Sequence, residues 1–436
     1  MNGDPFVPTR RAVLAGIGAI GIHGAATGPG MAAESPPPVL AAKSGSIVLR
    51  PGQKASSVWT LQSSPQQSLR FRRGERLDLA LANELPAPVA FGWRGVQAVS
   101  SNPLTAQPPL APGDRGRLTA PLSQAGTGLC DIRLLADGAA APSRPLPLII
   151  DESEPVNVDR DEVFLIEDWR VTADGAALPP GVAPKDAETI FTVNGGLKAD
   201  IPVRGHQRIR LRFINGCQRM VIAVKIAEAD VRVMAIDGQP AEPFSARNGA
   251  VVLPSGGRTD VFIDVPPTAG ATMAILLHDG TVARAIGSLV ISSEPPVRAA
   301  PLPAAPPLPG NGLPDRLELK GAARVELPLD GPEWVAPARF STASAPAFQT
   351  KTGRVAVLAL TNRARTATVF HLHGHHFRLL DRLDDGWKPY WLDTLTLEPG
   401  QTQRIAFAPD IAGRFLIEST ATDWAAPRLV RWYDVK

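Results

Sequence analysis

Residues 368–380 read Thr-Val-Phe-His-Leu-His-Gly-His-His-Phe-Arg-Leu-Leu and hold four of the chain's seven histidines. We predict that this stretch is a β-strand, because side chains at alternate positions of a strand share one face. His371, His373 and His375 would then point to one side of the sheet and His376 to the other. Imidazole suits copper or zinc, so His371 and His373 are predicted metal ligands.

The histidines also have an interpretation without a metal. His371 and His373 would hydrogen-bond Asp131 or Glu418 inside a buried polar core, where every polar group needs a partner. The sequence alone leaves both interpretations open.

The rest of the sequence predicts many short strands joined by turns, because 44 prolines and 39 glycines interrupt it at short intervals. No amphipathic helix of convincing length is evident. The sequence is therefore typical of an all-β protein. The clearest strands are predicted at Leu77–Leu81, Val163–Ile166, Arg208–Phe213, Val355–Leu360 and Gln403–Phe407.

Three arginines in one of these strands, Arg208, Arg210 and Arg212, alternate strictly with apolar residues. Alternation of this kind is typical of a strand with one buried and one solvated face. We predict that the three arginines face solvent.

Composition divides the chain into domains. Residues 39–151, 155–293 and 315–436 are each long enough for one β-sandwich. Between the second and third, residues 294–314 consist largely of Pro, Ala, Leu and Gly. Such a segment is predicted to be a semi-rigid linker.

The first residues carry a targeting pattern. Thr9-Arg10-Arg11-Ala12-Val13-Leu14 is a twin-arginine motif, and the apolar run from Ala12 to Ile22 is too short for an ordinary membrane span. We predict a removable twin-arginine signal peptide over residues 1–33, export to the periplasm, and no integral membrane segment in the mature chain. A retained membrane anchor is the alternative.

The remaining composition narrows the possible functions. A net charge of +3 indicates no nucleic-acid partner, and no Gly-x-Ser-x-Gly or phosphate-binding loop is present. The only cysteines are Cys130 and Cys217, predicted in different domains. They are interpreted as two buried free thiols or as an interdomain disulfide.

The segment Thr368–His375 resembles the His-Pro-Phe-His-Leu-His-Gly-His motif of the multicopper oxidases. Further segments are similar to that family in the same order. They are Val193–Gly195, Arg210–Asn215, Ala235–Gly238, Arg258–Val261, Trp391–Thr394, Glu398–Gln401 and Asp410–Phe415. The resemblance covers nearly the whole mature chain and implies three consecutive cupredoxin-like Greek-key β-sandwich domains.

The resemblance also implies where copper should bind, and most of those positions have changed. The family's mononuclear copper is held by two His and a Cys, often with an axial Met. These positions align with Thr368, Ser419, Trp424 and Leu429. A serine hydroxyl stays protonated at neutral pH and cannot replace a thiolate. The resemblance therefore implies that the electron-accepting site is absent.

The family's trinuclear copper cluster has lost most of its ligands as well. Of its eight histidines only His371 and His373 remain, and the pair beside the lost cysteine has become Glu418 and Thr420. The first-domain ligand strings align with residues 92–95 and 129–133.

These first-domain strings place two arginines, Arg94 and Arg133, where copper ions would sit. Fixed positive charge in a poorly solvated cavity repels a metal ion. We hypothesise a salt-bridge network among Arg94, Arg133, Asp131 and Glu418 that fills the cluster position.

Together these substitutions favour a non-redox periplasmic protein without a bound cofactor, used as a structural or interaction module. It is similar in this respect to the copper-free, exported cell division members of the family, the FtsP/SufI type. Envelope or division proteins are the expected partners, and no oligomeric state is indicated.

The alternative is a metal-binding protein or a residual multicopper-oxidase-type oxidoreductase that uses His371 and His373. His375 or His206 would supply a further ligand, and copper is the candidate metal.

Overall fold

The computed structural model describes residues 37–64, 69–380 and 386–436. Segments with alternating apolar residues form β-strands in it. The predicted signal peptide lies outside the described residues. Within these ranges the regular structure consists of 29 strands and four short 3₁₀ turns, without an α-helix. Accordingly, none of the described helices has the length and apolar character needed to cross a membrane.

The first sandwich is built from eight strands. They are β1 (Val39–Ile47), β2 (Ser56–Ser64), β3 (Leu69–Arg72), β4 (Arg76–Asn83), β5 (Gly92–Arg94), β6 (Arg115–Pro121), β7 (Gly126–Asp131) and β8 (Leu146–Asp151). One sheet has the order β2-β1-β4-β6 and the other β3-β8-β7-β5. Leu77, Leu79 and Leu81 of β4 are buried between them, as the alternation predicts.

The second sandwich contains twelve strands. They are β9 (Arg160–Val171), β10 (Ala177–Leu178), β11 (Glu188–Val193), β12 (Ala199–Val203), β13 (Arg208–Asn215), β14 (Ile222–Ile226), β15 (Arg232–Ile236), β16 (Gln239–Ser245), β17 (Ala250–Leu253), β18 (Arg258–Asp264), β19 (Thr272–His278) and β20 (Ala283–Ile291). One sheet has the order β10-β9-β13-β18-β15-β16, with β11 also paired to β9. The other has the order β12-β20-β19-β14-β17.

The third sandwich contains nine strands. They are β21 (Ala323–Pro328), β22 (Gln349–Thr350), β23 (Ala356–Thr361), β24 (Thr368–Leu372), β25 (Arg378–Leu379), β26 (Thr394–Leu397), β27 (Thr402–Phe407), β28 (Gly413–Ala421) and β29 (Arg428–Val435). Its sheets have the orders β21-β23-β27-β25 and β22-β29-β28-β24-β26. The prediction of an all-β protein made of β-sandwiches is confirmed.

The histidine-rich strand is shorter than predicted. Strand β24 ends at Leu372, and Gly374 turns the chain with φ +80°. A side chain at this position would be strained by the positive φ, and its Cβ would overlap the ring of Phe415. His375 and His376 therefore lie beyond the strand, and the prediction that His371, His373 and His375 share one strand face is wrong.

The prediction that the arginines of β13 face solvent is also wrong. Arg208, Arg210 and Arg212 are 2%, 1% and 0% exposed. A two-residue period shows only that alternate side chains share a face, and here both faces of β13 are covered.

Acidic side chains from neighbouring segments pair with these buried arginines. Arg210 binds Glu152 at 2.9 Å and Asp260 at 2.6 Å, and Arg212 binds Asp161 at 2.6 Å. Thr127 of β7 completes the group, because its hydroxyl donates to Asp260 at 2.6 Å. The row of arginines thus joins the second sandwich to the first.

The proline-rich segment 294–314 lies against the first two sandwiches. Asn311 accepts a hydrogen bond from the backbone N–H of Ala125 at 3.0 Å and donates one to the carbonyl of Ala125 at 2.7 Å. Arg208 donates to the carbonyl of Pro303 at 2.7 Å. These contacts fix a segment whose sequence cannot form a packed element of its own.

Candidate metal site

Pairing between strands brings the histidines to an acidic residue. His371 on β24 is the direct cross-strand neighbour of Glu418 on β28. His373 follows the end of β24, and its ring lies 4.4 Å from that of His371, centroid to centroid. One ligand atom from each of His371, His373 and Glu418 can be chosen so that all three lie within 4.8 Å of one another.

Two arginines bind the carboxylate of this triad. Glu418 Oε1 lies 3.5 Å from Nη2 of Arg94, and Oε2 accepts a hydrogen bond from Nη1 of Arg428 at 2.7 Å. Burial alone would raise the pKa of Glu418, but the charges of Arg94 and Arg428 and a hydrogen bond from His373 hold that pKa well below its usual range. The carboxylate is therefore ionised and already paired.

The hydrogen bonds of His371 fix its tautomer. Its Nδ1 lies 3.0 Å from the carbonyl oxygen of Asp393 and 3.0 Å from Oγ1 of Thr394, whose own hydrogen goes to the Asp393 carboxylate. Nδ1 must therefore carry the proton, which leaves a lone pair on Nε2. Burial, Arg94 and His373 lower the pKa of His371 to about 3, so the ring is neutral at neutral pH.

His373 uses a ring nitrogen differently. Its Nε2 lies 2.6 Å from Oε1 of Glu418, which as a carboxylate can only accept. Nε2 of His373 is therefore a donor, and a metal ion at this atom would have to displace that proton and break the hydrogen bond.

The cavities next to the triad have small volumes. A cavity of about 10 Å³ lies next to Glu418 and His373, and a second cavity of about 10 Å³ lies next to His371 and Asp393. Each is at the limit for one water molecule. Together with the guanidinium groups of Arg94 and Arg428, this means that the residues present do not fit a trinuclear copper cluster.

The hypothesised network of four side chains is correct only in part. Arg94, Asp131, Arg133 and Glu418 all line one of these cavities, and Arg94 pairs with Glu418. The guanidinium of Arg133 instead donates to the carbonyl oxygens of Gly216 and Cys217 in the second sandwich. Asp131 accepts a hydrogen bond from the backbone N–H of Arg133 at 3.1 Å.

Sequence reasoning missed Arg428, which takes the place expected for Arg133 beside Glu418. Arg428 starts β29, and alternate positions of that strand, Val430 and Trp432, are buried. This period would have placed Arg428 on the inner face, where a buried cation needs an acid.

The four residues aligned with the mononuclear copper ligands have other partners. The Ser419 hydroxyl donates to the carbonyl of Leu329 at 2.7 Å, and that of Thr368 to the side chain of Asn362 at 3.2 Å. Trp424 donates from Nε1 to the carbonyl of Pro179 at 3.0 Å. Leu429 packs against the apolar core of the third sandwich. These side chains include no thiolate, imidazole or thioether for copper.

The other histidines proposed as ligands lie outside the triad. Tyr433 donates to the carbonyl of His373 at 2.7 Å, so it must accept from Nδ1 of His375, also at 2.7 Å. Nε2 of His375 then keeps its lone pair, and it is buried without a hydrogen-bond partner among the described residues. His206 is in a turn of the second sandwich, with Nδ1 2.8 Å from the carbonyl of Arg298.

A buried ion pair next to the triad joins all three sandwiches. Arg258 of β18 binds the carboxylate of Asp393 with two hydrogen bonds of 2.8 and 2.7 Å, and its Nε donates to the carbonyl of Thr127 at 3.1 Å. Asp237 accepts from the backbone N–H groups of Asp393 and Thr394 at 3.1 and 3.2 Å. The position of His371 therefore depends on contacts from three domains.

Both cysteines are free and fully buried. Cys130 is on β7 of the first sandwich, and Cys217 follows β13 in the second. Burial raises the pKa of each thiol well above its usual value. Of the two interpretations left open by the sequence, the structure shows the free thiols.

Comparisons with known proteins agree with this architecture. Residues 314–436 match the model of a family described as multicopper oxidase. A multicopper oxidase from Pseudomonas thermotolerans is 25% identical, with a TM-score of 0.78 over 91% of this chain and 98% of that one.

Two further solved structures show the same fold. A multicopper oxidase from Pseudomonas parafulva is 23% identical with a TM-score of 0.76, and Lac15 from a marine microbial metagenome is 23% identical with a TM-score of 0.74. Each comparison covers 91% of this chain and 99% of the other. No curated protein matches the chain in a sequence search.

Proposed function

We propose that this chain works as a non-redox protein. The premise is that the chain has the multicopper oxidase fold and that residues 314–436 match the model of that family. In this proposal the sandwiches form a structural or interaction module, and ion pairs occupy the position of the copper cluster.

The observation that carries the proposal is the state of Glu418. Its carboxylate is buried between Arg94 and Arg428 and accepts a short hydrogen bond from His373. Replacing these partners with metal ions would leave two buried guanidinium groups unpaired, which is strongly unfavourable. The site is therefore suited to joining the first and third sandwiches.

The absence of an electron-accepting site supports the same proposal. A serine, a threonine, a leucine and an indole stand at the aligned ligand positions, and their polar atoms bind carbonyl and amide oxygens. Without a thiolate there is no route by which a substrate electron would enter through a mononuclear copper.

Location and partners form the second part of the proposal. The twin-arginine motif at residues 9–14 supports export to the periplasm. Envelope or division proteins, as for the FtsP/SufI type, are then the proposed partners. Fold alone does not fix this role. Cross-linking of the exported chain in intact cells followed by identification of its partners tests it, and recovery of only cytoplasmic proteins would contradict it.

Metal analysis tests the non-redox function directly. The purified chain would be incubated with excess Cu²⁺, desalted, and measured for copper content, blue absorption and oxidation of a phenolic dye. We expect less than one copper per chain, no blue band and no oxidation. The multicopper oxidase from Pseudomonas thermotolerans, treated in parallel, is the positive control. Several coppers per chain or dye oxidation would overturn the proposal.

One observation favours a second candidate function, the binding of a single metal ion. His371 has a lone pair on Nε2, and the other two members of the triad, His373 and Glu418, are donor types that zinc or copper accepts. For binding, Glu418 would have to leave at least one of its two arginines.

Calorimetric titration with Zn²⁺ and Cu²⁺ separates the two candidates. If the triad binds metal, Arg94→Gln should strengthen binding because it frees Glu418, and His371→Ala should abolish it. His278→Ala, at an exposed position on β19, is the matched control. If neither ion binds to the wild type or to Arg94→Gln, the single-metal function is rejected.

A further inference from the structure

A pocket of about 460 Å³ lies between the second and third sandwiches. Three strands at the edges of their sheets meet there: β16 and β17 from the second sandwich and β26 from the third. Its volume is within the range of small-molecule sites, which are often found between domains.

The pocket is separate from the positions of copper in the family. None of Thr368, Ser419, Trp424 and Leu429 lines it, and neither do His371, His373 and Glu418. Asp237, Arg258 and Thr394, which contact each other beside the triad, do line the pocket, but this inference does not rest on the proposed function.

Apolar side chains form most of the pocket wall. Val252 is 68% exposed and Phe244 is 39% exposed, which is high for large apolar residues. The ring of Phe244 lies 6.5 Å from that of Tyr390, centroid to centroid, with 31° between the planes. Together with Leu395, these residues present an apolar surface to the pocket that an aromatic or aliphatic body could cover.

Three charged residues line the pocket, and two of them are already paired. Arg258 is bound to Asp393, and Asp237 accepts hydrogen bonds from backbone N–H groups of Arg258, Asp393 and Thr394. Arg247 is exposed and has no ion-pair partner within the described ranges. Among the lining residues that the structure describes, the one unbalanced charge is thus positive.

We propose that this pocket binds a small aromatic or aliphatic molecule that carries one negative charge. The apolar body lies against Phe244, Val252 and Tyr390, and the anionic group faces Arg247. Most of the binding free energy then comes from apolar burial, and the arginine selects for charge.

Two fluorescent probes with the same ring system test both parts of the proposal. Anilinonaphthalene sulfonate is an anion, and phenylnaphthylamine is its uncharged counterpart. We expect saturable binding of one sulfonate probe per chain and weaker binding of the neutral probe. Since a partly exposed ion pair contributes up to about 1 kcal/mol, the difference should be about fivefold and should shrink in high salt.

Variants test whether the two probes bind in this pocket. Val252→Trp fills the pocket from an exposed position, so the fold is retained while both probes lose affinity. Arg247→Gln should weaken only the sulfonate probe, and Arg363→Gln, at an exposed turn of the third sandwich, should change neither. Circular dichroism and thermal melting of each variant check the fold.

Three outcomes would overturn the proposal. Unchanged sulfonate binding in a folded Val252→Trp variant, or no saturable binding to the wild type, would show that the pocket is not a binding site for this class. Equal affinities for the two probes, unaltered by Arg247→Gln, would refute the assignment of an anionic ligand.

Discussion

Arg94 of the first sandwich and Glu418 of the third form a buried ion pair, with 3.5 Å between Nη2 and Oε1. Arg428 holds the second carboxylate oxygen at 2.7 Å. Its two partners come from different sandwiches, so the pair contributes to the stability of the contact between the first and third sandwiches.

Removal of the carboxylate should destabilise the protein strongly. Glu418→Gln removes the direct ion-pair partner of both Arg94 and Arg428, so we expect the free energy of unfolding to fall by about 3–5 kcal/mol. Urea denaturation measures the change. The control, Glu398→Gln at an exposed position, should shift it by less than about 0.5 kcal/mol. Equal effects of the two variants would contradict the buried ion pair.

Stability should fall with acid because of buried neutral histidines. Burial lowers the pKa of His371 and His375 to about 3 in the folded protein, whereas the unfolded value is about 6.5. Between these values the unfolded state binds more protons, so the contribution is complete above about pH 6.5 and is lost as pH falls toward 3.

The acid effect should be on the order of 3 kcal/mol per histidine between pH 6.5 and pH 4. Urea denaturation at a series of pH values measures it. His375→Gln should flatten the dependence, while His278→Gln, on an exposed residue, should leave it intact. A dependence that His375→Gln does not alter would show that this histidine is not the buried neutral group inferred from the structure.

Removal of a buried arginine from β13 should lower the free energy of unfolding. Arg212→Met leaves Asp161 without its closest partner and Asp260 with one arginine fewer. We expect a loss of about 3–5 kcal/mol. Arg204→Met breaks an exposed pair with Glu294 and exposed hydrogen bonds to the carbonyl of Pro295, and should cost about 1 kcal/mol. Similar melting temperatures for the two variants would favour the original prediction that Arg208, Arg210 and Arg212 face solvent.

The turn after β24 should require glycine. Gly374→Ala meets the ring of Phe415 and also has positive φ, whereas Gly353→Ala has positive φ with nothing within 4 Å. We expect about 1 kcal/mol for Gly353→Ala and about 2–4 kcal/mol for Gly374→Ala. Thermal unfolding compares them, and equal losses would mean that the contact with Phe415 is unimportant.

The cysteines give a test that needs no variant. Because both thiols are fully buried and their pKa values are raised, neither should react with a thiol reagent in the native protein. Two thiols per chain should react after unfolding without a reductant. No reaction after unfolding would indicate a disulfide.

The sequence by itself determined the fold class, and its resemblance to the multicopper oxidases predicts the loss of the copper ligands. Alternating strands such as Arg76–Asn83, frequent turn residues and the histidine-rich motif predict β-sandwiches, because strand periodicity and turn chemistry are local properties. That Ser419 and Thr368 cannot replace a thiolate and an imidazole also follows from residue identity alone.

Only the tertiary structure decided how the charged residues are used. Periodicity placed Arg210 and Arg212 on one face of a strand but could not show that another domain covers it. The partners Arg94 and Glu418 are separated by more than three hundred residues, and the ion pair between Arg258 and Asp393 spans 135 residues. Which acid a buried arginine meets depends on domain packing, which short-range patterns do not encode.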